Sequence, residues 1–225
     1  MKMKIKIIYH PSISPNESLN DSIRLLCTKL DKDYAEQICQ ANELQFAIDD
    51  ETSMVFYAVP HDRKTVKAYL NASRELRIPY TFINNSVSTI IPTHIACPIT
   101  FLEEEVEKGQ FAAAFARYCG TKIDLIRAKD YGSKASLTIN KIAALLDKFN
   151  LGYESYDAEK DSFKVYKEIT GKTKDGKWDM LLLSASRDYG LDDILFGPPE
   201  LHAVLNSAIN VMLVNPRGDL YALCD

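Results

Sequence analysis

Residues 178–216 read WDMLLLSASRDYGLDDILFGPPELHAVLNSAINVMLVNP, and this stretch decides the fold class. Met180–Leu183 is a continuous apolar run, which is typical of a parallel strand covered on both faces. Gly197-Pro198-Pro199 predicts the start of a helix, because prolines are tolerated in the first helical turn. Val211–Val214 is predicted as a second buried strand. The helix between them carries one apolar face, formed by Leu201, Val204, Leu205 and Ala208.

The segment upstream of this unit repeats the alternation of strands and helices. Strands are predicted at residues 94–99, 123–127 and 153–156, and helices at 103–120, 137–149 and 161–169. The acidic run Glu103–Glu105 is expected at a helix start, where the helix dipole favours negative charge. Strands that alternate with such helices pair in parallel through right-handed crossovers. Residues 94–215 therefore predict an α/β domain with a five-stranded parallel sheet.

Residues 1–85 predict a shortened version of the same plan, with one βα unit missing in the middle. Strands are predicted at 3–9, 54–59 and 80–83, and helices after Asn16 and from Asp62 to Leu76. The spacing of Tyr34, Ile38 and Ala41 suggests a further helix, and 44–53 could form a short strand and turn. The polar stretch 84–93 is the predicted linker. We therefore expect two units, residues 1–88 and 89–225.

Composition narrows the classes of function. The chain has 225 residues, a hydrophobic fraction of 46% and a net charge of −4, so no nucleic-acid surface is expected. No apolar stretch approaches the roughly 20 residues that cross a bilayer, so no membrane insertion is expected. The five cysteines are widely spaced and form no C-x-x-C pair. We therefore expect the cysteines to be reduced thiols in the core of a cytoplasmic protein.

Two stretches carry a family resemblance. Residues 97–128, CPITFLEEEVEKGQFAAAFARYCGTKIDLIRA, resemble the first βαβ unit of a universal stress protein, and the stretch at 178–216 resembles the last. The resemblance implies a tandem arrangement of two adenine-nucleotide-alpha-hydrolase-like (Rossmann-like) units. The second unit would have the complete parallel sheet of five strands, and the first a truncated sheet.

The same resemblance locates a vestigial nucleotide site. The family's phosphate loop has the form G-x2-G-x9-G-[ST], and its four positions fall on Ser184, Arg187, Gly197 and Pro198. An aspartate ends the first strand in nucleotide-binding relatives, and Thr100 stands at the matching position here. Only Gly197 retains the pattern. A degenerate nucleotide site is therefore expected, with no cofactor.

Arg187 leaves two interpretations open. Its side chain could fill the empty phosphate position, or its charge could bind an anion in place of the missing backbone contacts. The second interpretation supports an alternative function, a stress regulator that binds ATP or AMP by altered contacts around Thr100, Arg127, Ser184 and Arg187. The first supports a non-enzymatic regulatory or interaction protein.

Two further predictions concern partners and chemistry. In relatives the last strands of two domains associate, so the halves are expected to pack as an internal pseudo-dimer through Tyr80, Phe82, Val211 and Leu213. Self-association or a protein partner is the expected interaction. A small enzyme using His10 and His61 is a third possibility, since each follows a predicted strand of the first half. No catalytic residue and no metal ligand is otherwise predicted.

Overall fold

The computed structural model describes residues 2–84, 87, 89–185 and 198–215. The strands are β1 (Lys4–Tyr9), β2 (Asp33–Ile38), β3 (Thr52–Ala58), β4 (Tyr80–Phe82), β5 (His94–Ile99), β6 (Lys122–Arg127), β7 (Tyr153–Asp157), β8 (Met180–Ser184) and β9 (Asn210–Val214). The helices are α1 (Glu17–Leu30), α2 (Leu44–Ala47), α3 (Arg63–Ala72), α4 (Lys108–Cys119), α5 (Lys134–Lys148), α6 (Val165–Lys172) and α7 (Pro199–Asn206). Short 3-10 turns cover Ala41–Glu43, Glu103–Glu107 and Thr173–Asp175.

All these strands join one sheet in the order β2-β1-β3-β4-β9-β8-β5-β6-β7. Within the described chain, every neighbouring pair is parallel except β4 and β9, which are antiparallel. Outward from that pair, the second half reads β9-β8-β5-β6-β7 and the first half β4-β3-β1-β2, the same plan with one strand fewer. The predicted α/β class with a mainly parallel sheet is confirmed.

Both faces of the sheet are covered, which explains the continuous apolar strands. Ile8, Tyr57 and Leu183 on one face pack in a single cluster with residues of α3, α6 and α7. Ile7, Phe56 and Leu182 on the other face pack with residues of α1, α4 and α5. Successive residues of a strand point to opposite faces, so a strand between two helical layers must be apolar at every position.

The two halves meet at the antiparallel pair of β4 and β9. Tyr80 lies opposite Leu213 and Phe82 opposite Val211, and all four side chains are buried. These are the residues at which the sequence predicts contact between the halves. Neither strand is therefore an open edge of the sheet, and the exposed edges are β2 and β7.

Asparagine side chains close both ends of this strand pair. At one end the Tyr80 hydroxyl donates to Asn215 Oδ1 at 2.9 Å, and Asn215 Nδ2 donates to the carbonyl of Ser73 at 2.7 Å. At the other end Asn210 Oδ1 accepts from the backbone N–H of Asn84 at 2.9 Å. The strand pair is short, so these side-chain bonds satisfy polar groups just beyond its ends.

The centre of the pair contains an unsatisfied hydroxyl. Thr81 is fully buried opposite Met212, and among the described side chains its Oγ1 is the buried polar atom without a hydrogen-bond partner. A buried hydroxyl without a partner costs about 1–3 kcal/mol. The position therefore favours an apolar side chain of the same shape.

We expect Thr81→Val to raise the free energy of unfolding by about 1 kcal/mol, because it removes this unpaired group at nearly constant volume. Urea denaturation measures the change. The matched control is Thr173→Val, since buried Thr173 donates to the carbonyl of Thr170 at 2.7 Å and accepts from Ala208 N–H at 3.0 Å. The control should be destabilised. Equal losses of unfolding free energy in Thr81→Val and Thr173→Val would contradict the assignment of the Thr81 hydroxyl as unpaired.

The helix predicted around Tyr34, Ile38 and Ala41 is wrong. Asp31 adopts a left-handed conformation with φ of 52° at the end of α1, and the chain then returns as β2 beside β1. As an edge strand, β2 is largely exposed, and even Ile38 is 54% exposed. Because little of it is buried, β2 lacks the apolar alternation that would have marked it as a strand.

Two other element boundaries differ from the prediction. Residues 44–53 contain the short helix α2 rather than a strand and turn, and β3 begins at Thr52. The helix predicted from Asp161 begins at Val165. A turn precedes this helix, and in it the backbone N–H groups of Lys164 and Val165 donate to the carbonyl of Asp161.

The described cysteines are free thiols. Cys27, Cys39 and Cys97 are buried, and burial raises the pKa of the Cys27 and Cys97 thiols to about 11. Thiols with such pKa values are weak nucleophiles near neutral pH. Among the described residues no helix is long and apolar enough to cross a membrane.

Candidate functional site

A crevice lies at the point where the strand order reverses. From β5 the chain proceeds to β6 and β7 on one side, whereas β8 and β9 lie on the other. In the described structure β5 and β8 pair only at Ile95–Met180 and Ala96–Leu181, so their carboxyl-terminal parts are not hydrogen-bonded to each other. Open α/β sheets bind ligands at such a position. Three side chains of this protein occupy it: Glu105, Lys108 and Tyr166, which we call the crevice triad.

Glu105 caps the end of β5. Its Oε2 accepts the backbone N–H of Thr100, the residue that follows the strand, at 2.5 Å. The Glu105 side chain is completely buried, although it belongs to an acidic run that was predicted to lie at a helix start. That run forms a 3-10 turn ahead of α4, which directs Glu105 inward. Glu103, by contrast, makes an exposed ion pair with Lys141.

Tyr166, on α6, connects the two strand ends. Its hydroxyl donates to Glu105 Oε1 at 2.5 Å and accepts the backbone N–H of Ser184, the last residue of β8, at 3.3 Å. Burial and the nearby Glu105 carboxylate raise the pKa of Tyr166 well above its usual value, so the hydroxyl keeps its proton. The N–H groups of Thr100 and Ser184 are therefore both engaged by protein side chains.

Lys108 supplies the positive charge of the crevice triad. It is the first residue of α4, its side chain is completely buried, and its Nζ lies 3.4 Å from Glu105 Oε2. Nζ also donates to the carbonyl of Pro98 in β5 and lies 5.5 Å from the centre of the Tyr166 ring. Removing one partner of such a buried pair leaves an uncompensated charge. Within the crevice triad, the lysine ammonium lies beside the glutamate carboxylate, and all three side chains are hydrogen-bonded.

The structure places the predicted nucleotide-site residues in different surroundings. Thr100 and Ser184 lie at the crevice and are buried, and Thr100 Oγ1 already accepts the N–H of Leu102 at 3.3 Å. Arg127 is held elsewhere: its guanidinium donates twice to Asp157, at 2.6 and 2.9 Å, and once to Ser136 at 3.0 Å. The hydrogen bond from Arg127 lowers the pKa of the Asp157 carboxyl.

The remaining positions of the predicted loop divide between described and undescribed residues. Arg187 and Gly197 lie outside the described residues. Pro198 is buried and precedes α7, which begins at Pro199, with no side-chain hydrogen bond capping that end. Proline provides neither a hydroxyl nor an N–H donor at this position.

The structure gives His10 and His61 separate partners. His10 Nδ1 lies 2.7 Å from Ser12 Oγ, and His61 Nε2 lies 2.8 Å from the carbonyl of Ile83. No group of three potential metal ligands occurs among the described residues. Each histidine is hydrogen-bonded to a neighbouring protein group, which is typical of a structural role.

A second polar cluster lies at the amino ends of the strands, and the sequence-based prediction missed it. Asp124 in β6 is completely buried. Its Oδ1 accepts from His94 Nε2 at 2.8 Å, and its Oδ2 accepts from Trp178 Nε1 at 2.8 Å and Tyr156 at 2.9 Å. Lys177 Nζ lies 2.6 Å from the same Oδ2. The cluster connects β5, β6 and β7 to the residues that precede β8.

The partners of Asp124 keep it ionised. Burial opposes the charged form, but the hydrogen bonds from Lys177, His94, Trp178 and Tyr156 outweigh burial and lower the pKa of the carboxyl. One signal in the sequence could have revealed this cluster, because Asp124 interrupts the otherwise apolar run Ile123–Ile126. A carboxylate in the middle of a buried strand requires partners.

Comparison with solved structures identifies the fold. A universal stress protein from Archaeoglobus fulgidus DSM 4304 superposes on 96% of this chain and 87% of its own, with a TM-score of 0.64 and 10% sequence identity. The chain has the universal stress protein fold. A Pseudomonas aeruginosa UCBPP-PA14 protein assigned to the universal stress proteins covers 99% of this chain and 96% of its own, with a TM-score of 0.53 and 8% identity.

One more solved structure is similar to part of the chain, whereas the sequence comparisons find no match. A universal stress protein in complex with cAMP matches 55% of this chain and 97% of its own at 11% identity, with a TM-score of 0.45. Neither protein-family models nor curated protein sequences give a match.

Proposed function

We propose that this chain is a non-enzymatic regulatory or interaction protein of the cytoplasm, with a nucleotide crevice filled by its own side chains. The observation that carries the proposal is the engagement of two backbone N–H groups. Thr100 N–H is bound by Glu105 and Ser184 N–H by Tyr166. A nucleotide at the switch point would have to displace a buried, charge-balanced cluster before it could use either donor.

The sequence of the loop supports the same conclusion. One of three phosphate-loop glycines is present, at Gly197, and Pro198 replaces the hydroxyl residue that should follow. Each hydrogen bond lost to a charged phosphate is worth about 1.5–3 kcal/mol. The loss of two such contacts weakens binding by about a hundredfold or more.

An exposed apolar surface supports an interaction role. Phe101, Leu102 and Leu137 line a depression of about 480 Å³ at the carboxyl rim of the second half, together with Glu103, Glu104, Lys134, Thr138 and Lys141. Phe163 lies against Phe101 with ring centres 5.6 Å apart and is 84% exposed. Exposed apolar side chains grouped near one another often mark protein contacts. We therefore propose a protein partner or a second copy of the chain as the ligand.

We expect isothermal titration with Mg-ATP or AMP to show no binding to the full chain below roughly millimolar concentration. The same sample should release no phosphate from ATP. The comparison variant is Arg187→Gly, which restores a glycine of the family loop.

Micromolar affinity in the wild-type protein would contradict the proposal. If that affinity also disappeared in Arg187→Gly, the alternative would hold, and the chain would be an ATP- or AMP-binding regulator that uses altered contacts around Thr100, Arg127, Ser184 and Arg187.

A further inference from the structure

The outer edge of β2 ends the sheet at a place where the second half carries a further strand. β1 and β2 pair in parallel along their whole length, and so do β5 and β6 in the equivalent register. In the second half β7 then pairs with β6 on the side away from β5. β2 therefore corresponds to β6, and among the described residues the first half has no counterpart of β7.

The side chains of the two corresponding strands differ in exposure. Leu125 and Ile126 of β6 are completely buried. Glu36 and Gln37 occupy the equivalent register positions of β2, and both are exposed. Ile38, which follows them, is 54% exposed. Polar side chains are common on edge strands because they limit unspecific pairing, but Ile38 leaves apolar surface at this edge.

The main chain of β2 directs donors and acceptors outward at this edge. The backbone N–H of Cys39, which follows β2, donates to the carbonyl of Tyr9 in β1 at 3.1 Å. Main-chain groups of successive strand residues point to alternate sides of the strand, so the N–H and C=O groups of Tyr34, Glu36 and Ile38 point away from β1. In the described structure no neighbouring strand pairs with them. Such a row of outward groups is a template for another strand.

The edge is acidic. Asp33 and Glu36 belong to β2, and Asp21 belongs to α1, which packs against it. The cations beside them are already engaged, Arg24 with Asp21 at 2.8 Å and Lys2 with Asp33 at 3.9 Å. Glu36 forms no ion pair within the described part of the chain. A strand with basic side chains would therefore complement this edge in charge.

We propose that an extended basic segment of a partner protein adds to the outer edge of β2, as the strand that the first half lacks. Its main chain bonds the outward groups of Tyr34, Glu36 and Ile38, and its lysine or arginine side chains lie near Asp33 and Glu36. In such strand addition the main chain provides affinity and the side chains provide specificity. The β2 edge of a second copy is a poorer occupant, because it would bring acidic strands together.

The probe is a capped peptide in which lysine and valine alternate over roughly seven residues. It is titrated into the ¹⁵N-labelled full chain and followed by two-dimensional NMR. We expect saturable binding with a Kd below about 1 mM, with shifts of the Tyr34, Glu36 and Ile38 amide resonances. The same peptide with glutamate in place of every lysine should bind at least about tenfold more weakly, because its charges repel the carboxylates of the edge.

Ile38→Pro tests the main-chain contacts. Proline removes the outward N–H, and it is tolerated on an edge strand where this group faces solvent. The variant should bind the lysine peptide about fivefold or more weakly. The matched control is Ser155→Pro in β7, the other edge of the sheet. Ala158 N–H donates inward to the carbonyl of Arg127 at 2.8 Å, so Ser155 N–H points outward, and this control should leave peptide binding unchanged.

Four results would each overturn the proposal: no saturable binding, equal binding of the glutamate peptide, shifts confined to β7 amides, or unchanged affinity in Ile38→Pro. Self-association that moves the β2 amides as the protein concentration rises would identify a second copy as the occupant, and would also overturn it. The shift map uses the wild-type protein, so it decides the question even if a variant does not fold. β2 and the crevice triad belong to different halves of the sheet, so none of these outcomes bears on the nucleotide test.

Discussion

Lys108→Met is expected to lower the free energy of unfolding by about 3–5 kcal/mol, because it leaves the Glu105 carboxylate buried without its cation. Both side chains are completely inaccessible to solvent, with Nζ and Oε2 3.4 Å apart. Methionine retains most of the volume of the lysine stem, so the loss reports mainly the charge. Urea denaturation at neutral pH measures the change.

Two further variants make the result specific to the crevice triad. Lys141→Met breaks the pair with Glu103, in which the side chains are 53% and 63% exposed, and should lower the free energy of unfolding far less than Lys108→Met does. The double variant Glu105→Gln/Lys108→Met removes both charges and should recover much of the loss, since a neutral amide can still accept a hydrogen bond from Thr100 N–H. Similar losses in Lys108→Met and Lys141→Met would contradict a buried ion pair.

Asp124→Asn is expected to lower the free energy of unfolding by a similar amount, about 3–5 kcal/mol. The carboxylate accepts from His94, Trp178, Tyr156 and Lys177. An amide has a single oxygen, so its NH₂ group must face at least one of these donors. Trp178 is the only tryptophan of the chain, so intrinsic fluorescence follows this cluster directly during unfolding.

The sign of the pH dependence provides an independent check on Asp124. Its pKa is lowered in the folded protein from the usual value of 3.8. The stabilisation is therefore fully present above about pH 4 and is lost as the pH falls through the lower folded-state value. The stability difference between wild type and Asp124→Asn should shrink on acidification. Asp157→Asn, which breaks the part-exposed pair with Arg127, serves as the control and should cost less than about 1 kcal/mol.

The sequence predicts where the crevice lies, but it does not predict which side chains fill it. Apolar runs such as Met180–Leu183 predict parallel strands, and their order predicts a switch point beside Thr100 and Ser184. The inward orientation of Glu105 depends on a 3-10 turn that carries no clear sequence signature. The i,i+3 spacing of Glu105 and Lys108 fits an ion pair, but exposed pairs on helix surfaces have the same spacing.

Two features of the structure escaped prediction because no local sequence pattern marks them. β2 is an edge strand with mostly exposed side chains, so hydrophobic periodicity could not distinguish it from a helix. The cluster around Asp124 brings together residues far apart in the chain, from His94 to Trp178. Only the sheet register shows that these residues meet.

The state of the Thr100 and Ser184 amides tests the central claim most directly. Both N–H groups can be followed in ¹⁵N-labelled protein by two-dimensional NMR while Mg-ATP is added to roughly 1 mM. If Glu105 and Tyr166 occupy these donors, neither amide resonance should move. Saturable shifts of both resonances would show that a nucleotide displaces the crevice triad, and would contradict the account.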